Sequence, residues 1–300
     1  MRRVAAYGVC RDGDGRVLLV RGSATADLPG VWQVPGGGID HGEHPADAAV
    51  REFAEETGLA VAVTGLRAAV SDVLWGRHTD RLIYDVAVRG GTLRDEPDGT
   101  TDRAAWIAPA RLPELVLMPF TAELFGLPPE PVTTPPPAHF RPRPADPHPT
   151  RGQRFAAYGV ATDPAGRLLL TRIADGYPSA GKWHLPGGGT DHGEQPVTGL
   201  LRELAEETDQ VGQVVELLDV SHVHNPRAMG PEGYPIDWHA VRAVFRVLVG
   251  APTEARVTET AGGSTAEAGW FFPAEAAALP LTDVAADAVS RVAPGLGASG

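Results

Sequence analysis

Arg51 is followed by glutamates at positions 52, 55 and 56, and the same quartet returns as Arg202, Glu203, Glu206 and Glu207. At 3.6 residues per turn, the three carboxylates of each set share an arc of about 100° on a helix. Like charges at that spacing repel and destabilise a bare helix, so the pattern calls for a cation. Carboxylates acting with carbonyls and water suit Mg²⁺ or Mn²⁺. One glutamate pair alone would be a solvated helix face. Here the cluster recurs behind the same Pro-Gly-Gly-Gly loop (residues 35–38 and 186–189) and the same preceding glutamate, Glu43 or Glu194.

The elements that must carry these groups span Gly37 to Leu59 and Gly188 to Gln210. Pro45 and Pro196 suit a first helical turn, where the missing amide hydrogen costs little. Ala46, Ala49, Val50 and Phe53 fall on one face of the first helix, and Val197, Leu200, Leu201 and Leu204 on one face of the second. Both faces are expected against a sheet, with the glutamates elsewhere. Strand-like runs at Val4–Val9 and Val17–Arg21 flank Asp12-Gly13-Asp14-Gly15, and runs at Phe155–Ala161 and Arg167–Arg172 flank Asp163-Pro164-Ala165-Gly166. Each pair reads as a hairpin, and the mixture of elements as α+β or layered α/β.

The chain is an internal repeat. Ala5 to Val9 recurs as Ala156 to Val160, Trp32 as Trp183, and Asp40-His41-Gly42-Glu43 as Asp191-His192-Gly193-Glu194, all at an offset of 151. Trp106 then pairs with Trp270 at an offset of 164, so the second copy carries about 13 extra residues. Much of the excess lies at His222 to Ile236, where Pro and Gly predict a loop. The expected organisation is a first domain over 1–127, a proline-rich, semi-rigid linker over 128–153, a second domain over 154–292 and a frayed tail over 293–300. Two related copies on one chain are also expected to pair within the molecule, as a homodimer would.

The net charge of −12 weighs against general nucleic-acid binding, but not against a small phosphorylated substrate, because a bound metal ion reverses the charge locally. No apolar run is long enough to cross a bilayer. Cys10 is the only cysteine and sits in an apolar run, so it reads as a buried strand thiol, and the compartment as the reducing cytoplasm. The second copy has Ala161 in its place.

Gly37, Glu43 and the run Arg51-Glu52-Phe53-Ala54-Glu55-Glu56-Thr57-Gly58-Leu59 together resemble the complete Nudix box, a pattern of nine fixed positions over 23 residues. The second copy matches from Gly188 through Glu194 to Glu207, then departs, with Asp209 in place of the glycine and Gln210 in place of an apolar residue. The resemblance covers nearly the whole chain outside linker and tail. It implies two tandem α/β/α sandwiches with mixed sheets and a hydrolase that cleaves diphosphate linkages by attack of water at phosphorus. It implies Mg²⁺ (or Mn²⁺) held by Glu52 and Glu56, with Glu55 as ligand or base, and by the Gly37 carbonyl. Glu203, Glu207, Glu206 and Gly188 take those parts in copy two. Arg51 and Arg202 would brace the glutamates, and Glu43 and Glu194 would assist the bracing or reach a metal through water. A left-handed cap is expected at Gly58, and Asp209 enters that conformation at modest cost.

Substrate clues are sparse. Pro226 lies about sixteen residues past the second box, where ADP-ribose hydrolases of this family often have proline; Trp75 occupies that place in copy one. This points to nucleoside diphosphate derivatives of the ADP-ribose or nucleotide-sugar type, with prenyl diphosphates and nucleoside triphosphates as alternatives. His222, His224 and His239 could in principle hold zinc, but they read better as phosphate contacts or plain surface. His41 and His192 read as loop packing, and Asp102 and Glu267 as weak candidates for a further acidic ligand. A competing reading makes copy two a nucleotide-sensing module without turnover. A DNA-binding regulator lacks its basic helix-turn-helix here, and a diphosphate isomerase lacks a suitably placed cysteine.

Overall fold

The computed structural model describes residues 2–96, 99–138, 140, 150–229, 233–258 and 263–292. Copy one comprises β1 (Arg2–Cys10), β2 (Val17–Gly22), β3 (Trp32–Gln33), β4 (Gly36–Gly38), α1 (Pro45–Thr57), β5 (Leu59–Leu74), β6 (Arg77–Gly91), β7 (Thr101–Ile107) and α2 (Pro119–Leu124). Copy two comprises β8 (Arg151–Thr162), β9 (Leu168–Ile173), β10 (Trp183–His184), β11 (Gly187–Gly189), α3 (Pro196–Thr208), β12 (Gln213–Met229), β13 (Pro235–Leu248), β14 (Thr265–Phe271), α4 (Pro273–Ala277) and α5 (Asp283–Val292).

The first sheet runs β4-β1-β6-β5 and is mixed: β1 lies parallel to β6 and antiparallel to β4. A second, antiparallel sheet runs β3-β2-β7. The hairpin expected between β1 and β2 shrinks to a single bridge, Arg11 with Val17, after which the two strands part into different sheets. The counterpart pair, Thr162 with Leu168, is likewise the whole contact between β8 and β9. The two copies thus share one topology.

Side-chain alternation along β1 explains the layering. Ala5, Tyr7 and Val9 join a core with Leu19, Trp32, Ile83 and Phe120, the last from α2. Gly8 faces the other way, where a Cβ would stand 2.9 Å from the Phe53 ring of α1. A helix therefore covers each face, giving an α/β/α sandwich. In copy two, Gly159 faces Leu200 of α3, while Val160 joins a core with Leu168, Leu170 and Val289 of α5. Trp106 lies opposite Leu18 and Trp270 opposite Leu169, so the sheet register matches the pairing of these tryptophans. Cys10 is fully buried.

Two local expectations are corrected. The buried face of α1 carries Pro45, Ala48, Ala49, Phe53, Glu56 and Thr57, and that of α3 Pro196, Gly199, Leu200, Leu204, Glu207 and Thr208. Ala46, Val50, Val197 and Leu201 are only half-buried. One glutamate of each trio thus belongs to the buried face, because its carboxylate bonds to the backbone of the glycine loop. The expected loop over 222–236 is mostly strand: β12 continues to Met229 and β13 begins at Pro235, with 230–232 outside the described residues. Pro226 is tolerated there because β12 is an edge strand. Residues 222–239 also cluster with 1–153 as one compact unit, while 154–221 and 240–300 form the other.

Of the proline-rich stretch, residues 141–149 lie outside the described residues, as does the tail at 293–300. The described part up to Ala138 has neither helix nor strand. It is tied to copy one: Trp75 Nε1 donates to the Thr134 carbonyl at 3.0 Å, and Phe140 packs edge-on against the Trp75 ring. β8 begins at Arg151, within the last residues of that stretch.

Candidate functional site

The box helix starts after His44, whose ring accepts the Ala46 amide, with Pro45 in the first turn. It ends at Gly58 with φ +72°, and α3 ends at Asp209 with φ +56°, both left-handed as expected. Gln210 is buried yet satisfied, donating to Thr253 Oγ1 at 2.8 Å and accepting the Thr253 amide at 2.9 Å. A polar residue thus occupies an apolar position without an orphaned group.

Arg51 is the hub of the first site. Its Nε and Nη2 donate to the two oxygens of Glu43, each at 2.8 Å, a bidentate pair. Nη1 donates to Glu52 at 2.9 Å and Glu55 at 3.3 Å, and Nη2 also reaches the Gly38 carbonyl at 3.0 Å. Arg202 repeats every bond: Glu194 at 3.0 and 3.2 Å, Glu203 at 2.9 Å, Glu206 at 3.0 Å and the Gly189 carbonyl at 3.2 Å. Glu56 and Glu207 stand apart from the arginine, each accepting the amide of the loop glycine, Gly36 or Gly187, at 2.8 Å.

The trio divides by exposure. Glu56 is 4% exposed and Glu207 3%, whereas the Glu55 and Glu206 side chains are about half exposed, at 53% and 46%. Burial pushes Glu56 well above the usual carboxylate range, against the Gly36 amide that favours its charged form. Burial raises Glu52 as well, opposed by Arg51. The Arg51 guanidinium holds Glu43 low. Three carboxylates bond to one bracing arginine in each copy and the fourth lies apart on a glycine amide, an excess of negative charge that a divalent cation would offset.

A Cβ at Gly37 would displace the Glu52 carboxylate from its place; at Gly188 the corresponding approach to Glu203 is 2.8 Å. The oxygens in each cradle are hard donors, the set that Mg²⁺ or Mn²⁺ takes. The residues present therefore fit a divalent cation, which Glu52 and Glu56, or Glu203 and Glu207, would hold.

Sequence reasoning missed two pairs of residues. Arg3 and Arg154 lie with Nη2 3.1 and 2.9 Å from where Cβ atoms of Gly38 and Gly189 would be, placing a cation beside each cage. They share the 151 offset of the repeat, which was signal enough to find them. Thr265 donates its hydroxyl to Glu207 Oε1, whereas its counterpart Thr101, at the offset of the paired tryptophans, donates to Glu96 at 2.9 Å.

Asp102 and Glu267 are not gathered into the cages by any bond in this network. They pair with the strand arginines Arg21 at 2.8 Å and Arg172 at 2.9 Å, on exposed surface. Pro226 belongs to the unit of copy one, not to the unit that holds Glu203, Glu206 and Glu207. His41 does more than pack a loop: with His224 and Asp237 it forms a tight polar cluster, whereas His192 is exposed. His239 is fully buried beside that cluster, and burial, reinforced by His222, His41 and His224, holds its pKa down to about 4.

A NUDIX domain family model matches residues 1–125 and again 152–292. Over 132 residues the chain is 31% identical to the RNA pyrophosphohydrolase of Brucella anthropi, covering 37% of this chain and 75% of that protein. Over 45 residues it is 51% identical to the RNA pyrophosphohydrolase of Bartonella clarridgeiae, covering 15% of this chain but only 26% of that relative's length. The crystal structure of a MutT NUDIX hydrolase from Burkholderia pseudomallei is similar at 26% identity and a TM-score of 0.38, over 42% of this chain and 97% of that one. With the same arginine-centred cage built in both halves, the chain belongs to the NUDIX domain family twice over.

Proposed function

We propose that this protein is a tandem Nudix hydrolase that cleaves the diphosphate linkage of small nucleoside diphosphate derivatives in a Mg²⁺-dependent reaction. The observation that carries this reading is the duplicated cage, in which one arginine makes the same set of bonds to four acceptors in each copy. A diphosphate resists attack because of its own negative charge. A bound divalent cation supplies charge neutralisation and a lowered pKa for attacking water.

The chain's own residues do the rest. Arg51 and Arg202 hold Glu52 and Glu203 in place at no conformational cost during the reaction. The Gly36 and Gly187 amides fix one oxygen each of Glu56 and Glu207. Glu55 and Glu206 are the members of each trio open to solvent, and we assign to them the proton released as water attacks phosphorus. Arg3 and Arg154 are placed to contact a substrate phosphate.

No helix among the described residues is long and apolar enough to cross a membrane. With a single, buried cysteine, the reading places the activity in the cytoplasm. The net charge of −12 favours small substrates over long RNA. The test is turnover of ADP-ribose, nucleotide sugars, dinucleotides, nucleoside triphosphates, prenyl diphosphates and a 5′-triphosphorylated RNA. Parent, Glu56→Gln, Glu207→Gln and the double variant are compared with and without Mg²⁺ or Mn²⁺. Metal-dependent turnover that vanishes only in the double variant, or loss of a different substrate in each single variant, supports two active copies. Loss with Glu56→Gln alone makes copy two a binding module. Undiminished turnover in the double variant would overturn the assignment.

A further inference from the structure

The loop that carries Glu43 meets a second set of ligand-type side chains with different chemistry. His224 Nε2 lies 2.7 Å from Asp237 Oδ1, and His41 Nε2 lies 3.1 Å from the same oxygen. The ligand atoms of the three residues all fall within 4.8 Å of one another. Donors around a tetrahedral Zn²⁺ at about 2.1 Å stand about 3.4 Å apart, so small side-chain shifts would close this triad on an ion. His41 Nε2 is buried and makes no hydrogen bond to the described residues in spite of its short approach to Asp237. Asp237 Oδ1 is thus the hydrogen-bond partner of His224, while the buried His41 Nε2 faces the same oxygen outside good hydrogen-bonding geometry. One carboxylate and two imidazoles are a borderline N/O set, which selects Zn²⁺-class ions over the Mg²⁺ suited to the glutamate cages.

We propose that His41, His224 and Asp237 bind a divalent transition-metal ion of the Zn²⁺ class, with water in the remaining position, and that this ion clamps the 222–239 arm to the loop of the first cage. The arm and the loop already touch: the His224 ring packs so closely on Gly42 that a Cβ there would stand 2.7 Å from Nδ1. Gly42 has φ +86°, so the loop shape and the approach of the ring both require glycine. The ion adds a link at His41, two residues before Glu43, and Glu43 is the bidentate partner of Arg51. Copy two keeps the matching histidine, but His192 is exposed.

The test uses the full chain, stripped with chelator and held in excess Mg²⁺ to fill oxygen sites. It is titrated with Zn²⁺ by calorimetry and with Co²⁺ by visible absorption. The parent should take up one Zn²⁺ per chain and show a Co²⁺ band stronger than six-oxygen coordination gives. Both should survive in the Glu56→Gln, Glu207→Gln double variant. His224→Ala and Asp237→Ala should each weaken Zn²⁺ on the order of a hundredfold. Zn²⁺ should raise the melting temperature of the parent and not of these variants, and melts in chelator separate loss of a ligand from loss of the fold. The proposal falls if the parent shows no such uptake or band, if His224→Ala and Asp237→Ala both bind as the parent does, or if the band disappears with the cage glutamates.

Discussion

The two cages are alike in every bond to their arginine and unlike in what touches the buried glutamate. In copy two, Thr265 donates its hydroxyl directly to Glu207. In copy one, the equivalent Thr101 is engaged by Glu96, through both its amide at 3.0 Å and its hydroxyl, and Glu96 adds negative charge near Glu56. One site thus buries its key carboxylate with a neutral donor and the other beside a further carboxylate. The bracing is common to both, while the potential at the cation position differs. Equal chemistry with unequal affinity for the cation is the expected outcome.

The largest effect should be the one the copies share. Replacing Arg51 or Arg202 by Met leaves three carboxylates without their bracing cation. Breaking a buried ion pair costs about 3–5 kcal/mol; with guanidinium groups 30% exposed, about 2–3 kcal/mol is expected for each. Denaturant unfolding and turnover check this together. If Arg51→Met is severe and Arg202→Met is silent, the second cage is not an ion-holding site.

The next effect separates the copies by pH. His184 of copy two occupies the position of Gln33 in copy one. Burial, reinforced by the positive charge of Arg242, pushes its pKa from 6.5 down to about 4. The folded state therefore keeps the ring neutral where the unfolded chain would take up a proton. The stability this gives is fully present above pH 6.5 and is lost as the pH falls from there toward 4. The ring is partly exposed, so the loss should be about 2 kcal/mol. His184→Gln should flatten the dependence of stability on pH in that window. An unchanged slope would show that the ring is not held neutral by the fold.

The parts of this molecule that were legible in its sequence are those whose contacts are local. The arginine reaches Glu55 one helical turn away and Glu43 eight residues back, all inside the stretch that resembles the Nudix box, so the resemblance already implied the brace. The caps at Gly58 and Asp209 follow from backbone preference at a single position. Glu56 escaped because a hydropathy pattern counts every glutamate as polar, and only the Gly36 amide, twenty residues away, makes its burial tolerable. The His41–His224–Asp237 cluster joins positions nearly two hundred residues apart through the path of a β-hairpin arm. No period in either segment encodes that meeting. Proline and glycine in the arm signalled a loop, while the free edge of β12 let strand continue past Pro226.

The helix ends offer a smaller comparison that can be swapped directly. Asp209→Gly should stabilise the protein by up to about 1 kcal/mol, by relieving a left-handed non-glycine residue. The reverse change, Gly58→Asp, should cost more than that gain, about 1–2 kcal/mol. A Cβ at position 58 would also stand 2.6 Å from the Thr92 carbonyl oxygen. Thermal or denaturant unfolding of both variants reads the difference. Equal and opposite effects would mean that the contact with Thr92 relaxes freely, and that only backbone preference distinguishes the two caps.

The smallest effect bears most directly on the two cages. Glu96→Gln removes one negative charge from the surroundings of Glu56 and leaves the hydrogen-bonding shape of the residue in place. A unit charge near a partly screened site is worth about 0.5–1 kcal/mol, so the Mg²⁺ concentration for half-maximal Glu56-dependent turnover should rise about two- to fivefold. Glu207-dependent turnover should keep its own midpoint, because Thr265, which donates its hydroxyl to Glu207, is untouched. Measuring both midpoints in one preparation, with Glu207→Gln and Glu56→Gln backgrounds isolating each copy, makes each copy the control for the other. Parallel shifts in both would mean that the change acts through the net charge of the whole chain. A shift confined to copy one would place the difference in cation affinity in the partner of a single threonine.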